Sequence, residues 1–480
     1  MDTLFKNNGI KNYELSWRND VLETIKNIKT KVSNIDSDTD LLVSINEILD
    51  LINDKLPQLG SAEIAGSIPV NIANGQIVNV DIDSKDKLRD LYGRLQVSNP
   101  VTLFDNKLIS NINDVLIWND VEVSGGGTSS TFGTNIASQV LAVSNLTAGV
   151  RVRQTYKVIP YIPGKGQMII MSGILENPAV GIKKYIGYMN DNNGLFFSVN
   201  STTINVGIRT FTSGVAVDTE VPQNEWNLDT MDGNGPSGII IDWTTINIFM
   251  INFQWLGVGT IVWGLDVDND TYYVHRINTP NVNTIPFIQC PNLPMRYEIQ
   301  NDGTGGVASL TQIATCVISQ GGIDNPGIIR SIIRAGGFTT ASTTSFYPII
   351  AFRLKSTELN SYINIKKVSI ICTTTAGYLW KLILNPTVTG TAFSYTSITN
   401  SAIEADIATT NATTVSGGTL DLDAGYIIQT TDTGEINFYP NMFNIGVAND
   451  GTSDVLCLAI SLLVAAAETF YATITYFEQV

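Results

Sequence analysis

Hydrophobic and polar positions keep two rhythms along this chain. Between residues 21 and 56 apolar residues recur every three or four positions. Val21, Ile25, Ile28, Val32 and Ile35 form one seam; Leu42, Ile45, Leu49, Ile52 and Leu56 form a second. Such spacing lays one apolar stripe along a helix. The polar break at residues 36–40 puts the seams out of phase by three, which predicts either a helical hairpin or one coiled coil with a stammer. Asp38 or Thr39 would cap the second run, and Pro57 ends it at Leu56. An amphipathic pair packed on its own domain has the same spacing. No later stretch offers these seams a helical partner, so residues 1–60 are expected to anchor or oligomerise the chain.

After residue 60 the rhythm changes. Residues 61–90 place short apolar pieces among Gly, Asn, Pro and Asp and read as an extended linker. From residue 91 onward the period is two, the spacing of β-strands. The densest example is residues 225–268, a polar Gly-rich loop followed by strands, with four of the seven tryptophans. Phe249, Ile251, Phe253 and Trp255 share one face there; Ile248, Met250, Asn252 and Gln254 share the other. Gly257 and Gly259 interrupt the run before Ile261, Trp263 and Leu265 resume it. Other strands must pack against such an aromatic-loaded pair.

Further strands are predicted at 102–104, 115–118, 121–123, 140–143, 150–159, 167–174, 184–189, 195–199, 204–211, 272–277, 295–299 and 311–318. Turn signals separate many of them at intervals of about 8–12 residues. Residues 125–134, GGGTSSTFGT, read as a flexible loop and not as a phosphate cradle, since no GxxxxGK[ST] pattern or following helix is present. The fold class expected is mainly β: a β-sandwich or jelly-roll-like display region at 91–325 behind the helical segment. Residues 326–480 supply more strands, either a second sandwich or the completion of the first. The lack of a Pro-rich or charged linker favours a shared core.

Composition narrows the classes. Only 15% of the 480 residues are charged, an economy common in extracellular and virion proteins. The net charge of −16, with Lys and Arg dispersed, excludes a basic track for nucleic acid or a polybasic membrane contact. Cys290, Cys316, Cys372 and Cys457 lie far apart in apolar surroundings and are expected as buried free thiols. The first residues lack an apolar signal core, and the longest apolar run, 455–469, is too short to span a bilayer, which needs about 20 residues. A soluble chain is expected.

Candidate chemistry is thin. His275, the only histidine, lies within a predicted strand and has no second base for a triad. Asp266, Asp268 and Asp270 form a DxDxD pattern without the Gly and distal Glu of a calcium loop, and read as a hairpin turn. The loop carrying Trp226, Asp229, Asp232 and Asn234 is the candidate ligand loop, able to meet sugar hydroxyls. Nothing singles out two of the 44 acids as a glycosidase pair. No catalytic residue, metal or cofactor is expected.

Several long segments resemble a β-rich tail-fibre-like or virion structural protein family of tailed bacteriophages and large DNA viruses. They are GRLQVSNPVTLFD (93–105), VRQTYKVIPYIPGKGQMIIMSGIL (152–175), IGYMNDNNGLFF (186–197), EWNLDTMDGNGPSGIIIDWTTINIFMINFQWLGVG (225–259), CPNLPMRYEIQNDGT (290–304) and CVISQGG (316–322). The resemblance covers roughly residues 90–325. It implies a protein located in the virion, with the N-terminal part attached to the particle and the β-region displayed outward. The resulting expectation is a non-enzymatic fibre or capsid/tail decoration. Its partners would be itself, as a homotrimer given Ile at both seam positions, and other virion proteins through residues 1–90. The alternatives are a receptor-binding protein that attaches the virion to host surface glycan, and a spike depolymerase.

Overall fold

The computed structural model describes residues 100–112, 114–322, 327–373, 377–427, 434–437 and 444–479, with Lys26, Asn27 and Thr30. The seam residues Ile25, Ile28, Val32, Ile35, Leu42, Ile45, Leu49 and Ile52 lie outside the described residues, as does the linker 61–90. Among the described residues, no helix is long and apolar enough to cross a membrane.

The period-two pattern becomes two tandem stacks of antiparallel strands. The first contains β1 (Val101–Lys107), a helical turn α1 (Asp114–Ile117), β2 (Trp118–Gly125), β3 (Thr128–Gly133), β4 (Ser138–Val143) and β5 (Gly149–Thr155). It continues with β6 (Gln167–Ile174), β7 (Ile182–Met189), β8 (Gly194–Asn200), β9 (Thr203–Thr210) and β10 (Val217–Pro222). It ends with β11 (Asn247–Phe253), β12 (Thr260–Val267), β13 (Asp270–Asn278), β14 (Met295–Asn301) and β15 (Ala308–Ser319). One sheet runs β13-β12-β11-β6-β15-β4-β3, with β1 also paired to β15; the facing sheet runs β10-β9-β8-β7-β14-β5-β2.

The residues that alternate through 247–265 explain why these sheets stack. Ile251 sits between Ile169 of β6 and Trp263 of β12, and all three are fully buried. The facing sheet supplies Phe197, whose ring lies 5.1 Å from Phe249, and Tyr188, 5.8 Å from Phe253. The Trp263 indole N–H donates across the sandwich to the Phe196 carbonyl at 3.1 Å. Each buried aromatic or aliphatic side chain of this kind contributes about 1.5–3 kcal/mol. Asp268 and Asn269 both adopt positive φ, 54° and 67°, the geometry of a two-residue hairpin turn between β12 and β13.

Local expectations fail at three places. Residues 115–118 open with the helical turn α1 before β2 begins. Residues 125–134 are no flexible loop: Gly125 closes β2 at φ +72°, where a Cβ would stand 2.1 Å from the Ala148 carbonyl oxygen, and β3 follows directly. Strand β10, VDTEVP, escapes prediction because it is an edge strand with half of its side chains exposed and none fully buried.

The second stack begins with β16 (Ile328–Thr340), β17 (Tyr347–Leu354), β18 (Tyr362–Cys372), β19 (Tyr378–Leu384), β20 (Thr387–Gly390) and β21 (Thr396–Ser397). It continues with β22 (Ile403–Asp406), β23 (Thr413–Ser416), β24 (Leu420–Ile427), β25 (Gly434–Asn437), β26 (Leu456–Leu462) and β27 (Glu468–Gln479). One sheet runs β16-β27-β18-β25, a second β21-β22-β17-β26-β19-β24, and β20-β23 form a ribbon. The apolar run at 455–464 is the buried strand β26.

Where the sequence favours one shared core, the described residues of the two stacks pack around separate main cores. The first strand β16 pairs with the last, β27, which closes this region on itself. Its core holds Phe352, Ile365, Leu458, Phe470 and Ile474, apart from the Trp263 core. The two stacks meet through polar contacts. The Val447 N–H donates to the Tyr156 carbonyl at 2.8 Å, the Asn449 N–H to Asn119 Oδ1 at 2.9 Å, and Gln479 Nε2 to the Tyr161 carbonyl at 3.1 Å. The cysteines are free thiols, with Cys372 and Cys457 buried and Cys290 and Cys316 half-buried.

Separate cores joined by polar contacts should unfold separately. Calorimetry is expected to resolve two transitions. Trp263→Ala should lower one by about 3–5 kcal/mol and Ile474→Ala the other by about 2–5 kcal/mol. A single transition moved equally by both variants would refute the independence of the cores.

Candidate functional site

The loop between β10 and β11 is shaped by its own hydrogen bonds. A 3-10 turn, Gln223–Glu225, leads into it. Gln223 Nε2 then ties the two limbs by donating to the Thr230 carbonyl at 2.9 Å. Asp229 is buried, and its two oxygens accept from the backbone N–H groups of Met231 at 2.9 Å and Ser237 at 2.8 Å. A Cβ at Gly235 would lie 2.1 Å from Asp229 Oδ1. Only glycine lets the backbone approach that carboxylate.

Trp226 is 4% exposed. Its indole N–H donates to the Val221 carbonyl at 3.1 Å, and its ring meets Trp243 edge-on at 6.4 Å. It forms the floor of the site and does not present a face for stacking on a sugar. Asp232 is exposed. Its Oδ1 accepts from the Thr230 hydroxyl at 2.6 Å and the Asn234 N–H at 3.0 Å, and the Thr230 bond holds its carboxyl below the usual range. Asn234 is exposed beside it.

Trp226, Asp229, Asp232 and Asn234 line one concavity of about 520 Å³, together with Asn224, Asn227, Leu228 and Pro236. A neighbouring hollow of about 260 Å³ adds Thr202, Thr203, Pro222 and Trp243, and the two share Asn224 and Asp232. The result is a groove with an apolar floor and a rim of amide and carboxylate groups. Sequence reasoning missed Asn224 and the β8–β9 turn, because only the folded sheet brings residues 202–203 beside residue 232.

His275 props the groove from beneath. Its Nδ1 accepts the Asn227 N–H at 3.2 Å, and Asn227 brackets the Arg276 backbone, accepting its N–H and donating to its carbonyl at 2.8 Å each. The histidine thus ties β13 to the loop above it. Asp266, at the other end of the hairpin, pairs across to Thr271. Among the described residues, no group of three or more His, Cys, Asp or Glu side chains is placed to hold a metal ion.

No family model matches the chain, and no curated protein matches it. Among solved structures, the chain is similar to a glycosyl hydrolase family protein from Mycobacterium fortuitum at 8% identity, covering 45% of this chain and 99% of that one, with a TM-score of 0.32. It is similar to a β-glucanase from Bacillus licheniformis at 13% identity, over 46% and 98%, with a TM-score of 0.28. A legume lectin-like domain from Entamoeba histolytica matches at 9% identity, over 45% and 97%, with a TM-score of 0.27. The expectation that the chain is not an enzyme is withdrawn, since this set includes a glycosyl hydrolase family protein and a β-glucanase. At these TM-scores no substrate or activity passes to this chain.

Burial holds the His275 imidazole below its usual range, so the folded chain binds fewer protons there than the unfolded chain. Its contribution to stability is whole above the ordinary imidazole value of about 6.5 and is lost as pH falls through the depressed folded value. The thermal midpoint should therefore drop between about pH 7 and pH 5.5, and drop less in His275→Gln. Parallel pH profiles for the two proteins would show that His275 does not carry the dependence.

Proposed function

We propose that the chain is a virion surface protein whose tandem β-sandwiches face outward and whose β10–β11 groove attaches the particle to a host surface glycan. The N-terminal seams anchor and oligomerise it on the particle, behind a jelly-roll-like display region. The observation that carries the binding role is the groove itself. Asn224, Asp232 and Asn234 stand exposed along its rim, while Trp226, Asp229 and Gly235 hold their backbone in place from below. Side-chain amides and a carboxylate offer both donors and acceptors, which is what sugar hydroxyls require. The continuation past Asp232 into a second hollow suits a chain of sugar rings better than a single compact ligand. The family resemblance of residues 90–325 supports placement on a virion, and the low surface charge suits an exposed site.

A glycan array probed with the full chain tests this reading. Binding to a subset of glycans is expected, and Asn224→Ala with Asn234→Ala should weaken it about 10-fold or more, the worth of one or two hydrogen bonds, with an unchanged thermal midpoint. Trp226→Ala, by contrast, should cost about 3–5 kcal/mol of stability. An array with no bound glycan, or a double variant that binds as the parent does, would dismiss the groove as the attachment site.

A further inference from the structure

The outward face of the second sandwich carries apolar side chains that its own chain does not cover. On β16, β27 and β18 the inward positions are core residues such as Ile332, Ile474 and Val368. The alternate positions face away. Ile329 and Ile333 are 69% and 55% exposed, Ile371 is 54% exposed, and Tyr471 is 39% exposed. Register makes them one patch: Ile371 lies opposite Tyr471, while Thr473 sits between Ile333 and Ser369. Hydroxyls fill the spaces, with Ser331 3.2 Å from Thr475 and Thr339 2.8 Å from Thr469. Apolar side chains left uncovered together in this way mark contact surfaces.

We infer that this face docks against the same face of a second copy of the chain. Charge decides the occupant. The chain carries a net charge of −16, so copies repel one another over most of their surfaces. The two carboxylates at the ends of β27, Glu468 and Glu478, point inward and are buried, leaving the outward positions of these three strands without an acid. Cations enter at Lys366, 5.4 Å from the Phe477 ring, and at Lys367, opposite Thr475. On this face two acidic copies can meet without opposing carboxylates.

The dimensions suffice. Strands of 13, 12 and 11 residues, at about 3.3 Å per residue and about 4.8 Å apart, give roughly 570 Å² per copy. Two copies then bury about 1,100 Å², just above the roughly 1,000 Å² that a specific interface should clear. The outer edge of β16 has no strand beside it among the described residues, so its backbone is also open to a neighbour.

The test uses the full chain with Thr473→Cys at the centre of the patch and a short bis-maleimide crosslinker. Val180→Cys, at a position 69% exposed on the first sandwich, controls for copies held near one another elsewhere, and the parent chain controls for its own thiols. At micromolar concentration Thr473→Cys should give several-fold more covalent dimer than either control. Adding Ile333→Lys should return it to the control level; Ile371→Lys, read the same way, guards against a local effect of the first lysine. Equal dimer from Thr473→Cys and Val180→Cys would overturn the inference, as would crosslinking that survives both lysine variants. An occupant other than a second copy falls under the first of these results.

Discussion

The first sandwich depends on keeping a plane of aromatic rings dry between two sheets. Trp263 is the point where that constraint is sharpest. Its ring stands beside Ile251 on the inner face of the sheet, and its N–H must find an acceptor once water is gone; the Phe196 carbonyl of the opposite sheet supplies it at 3.1 Å. An unpaired indole N–H there would cost about 1–3 kcal/mol. The bond therefore fixes both the spacing of the sheets and their relative register. Phe249 and Phe253 then meet Phe197 and Tyr188 at ring distances near the optimum for tilted pairs.

The groove follows from the same packing. Trp243 stacks on Phe249 at 6.4 Å and meets Trp226 edge-on, so the aromatic core continues outward as the floor of the β10–β11 loop. Above that floor the loop can be polar because its backbone is satisfied internally by Asp229 and Gln223. Buried acids usually carry a penalty; Asp229 offsets it by accepting two backbone N–H groups. Asp232 and Asn234 remain free to meet solvent or ligand. The division of labour is physical: residues that face inward specify the loop, and residues that face outward are available for recognition.

The tandem arrangement separates two roles in the same way. Among the described residues the main cores of the stacks are separate, and amide and backbone hydrogen bonds cross their junction. Bonds of that kind orient neighbours without making one fold depend on the other. The second sandwich can thus use an outward face of Ile, Thr and Tyr side chains for association while the first keeps its groove open.

Alternation of apolar residues was enough to read β11, β12 and most other strands from the sequence, because a half-buried strand leaves a period-two signature whatever its partners are. The same holds for the Asp268–Asn269 turn, since its backbone geometry selects those residue types locally. Strand β10 left little such trace, being an edge strand with only Val221 packed against the core. The split into two cores was also illegible, because it rests on β16 pairing with β27 across about 140 residues, and no local pattern records a pairing at that range. The candidate loop could be picked out by its polar residues, yet which of them face outward was decided by tertiary contacts: burial turned Trp226 and Asp229 into supports. Local chemistry determines which segments extend and turn; only the folded sheets decide which side chains meet water.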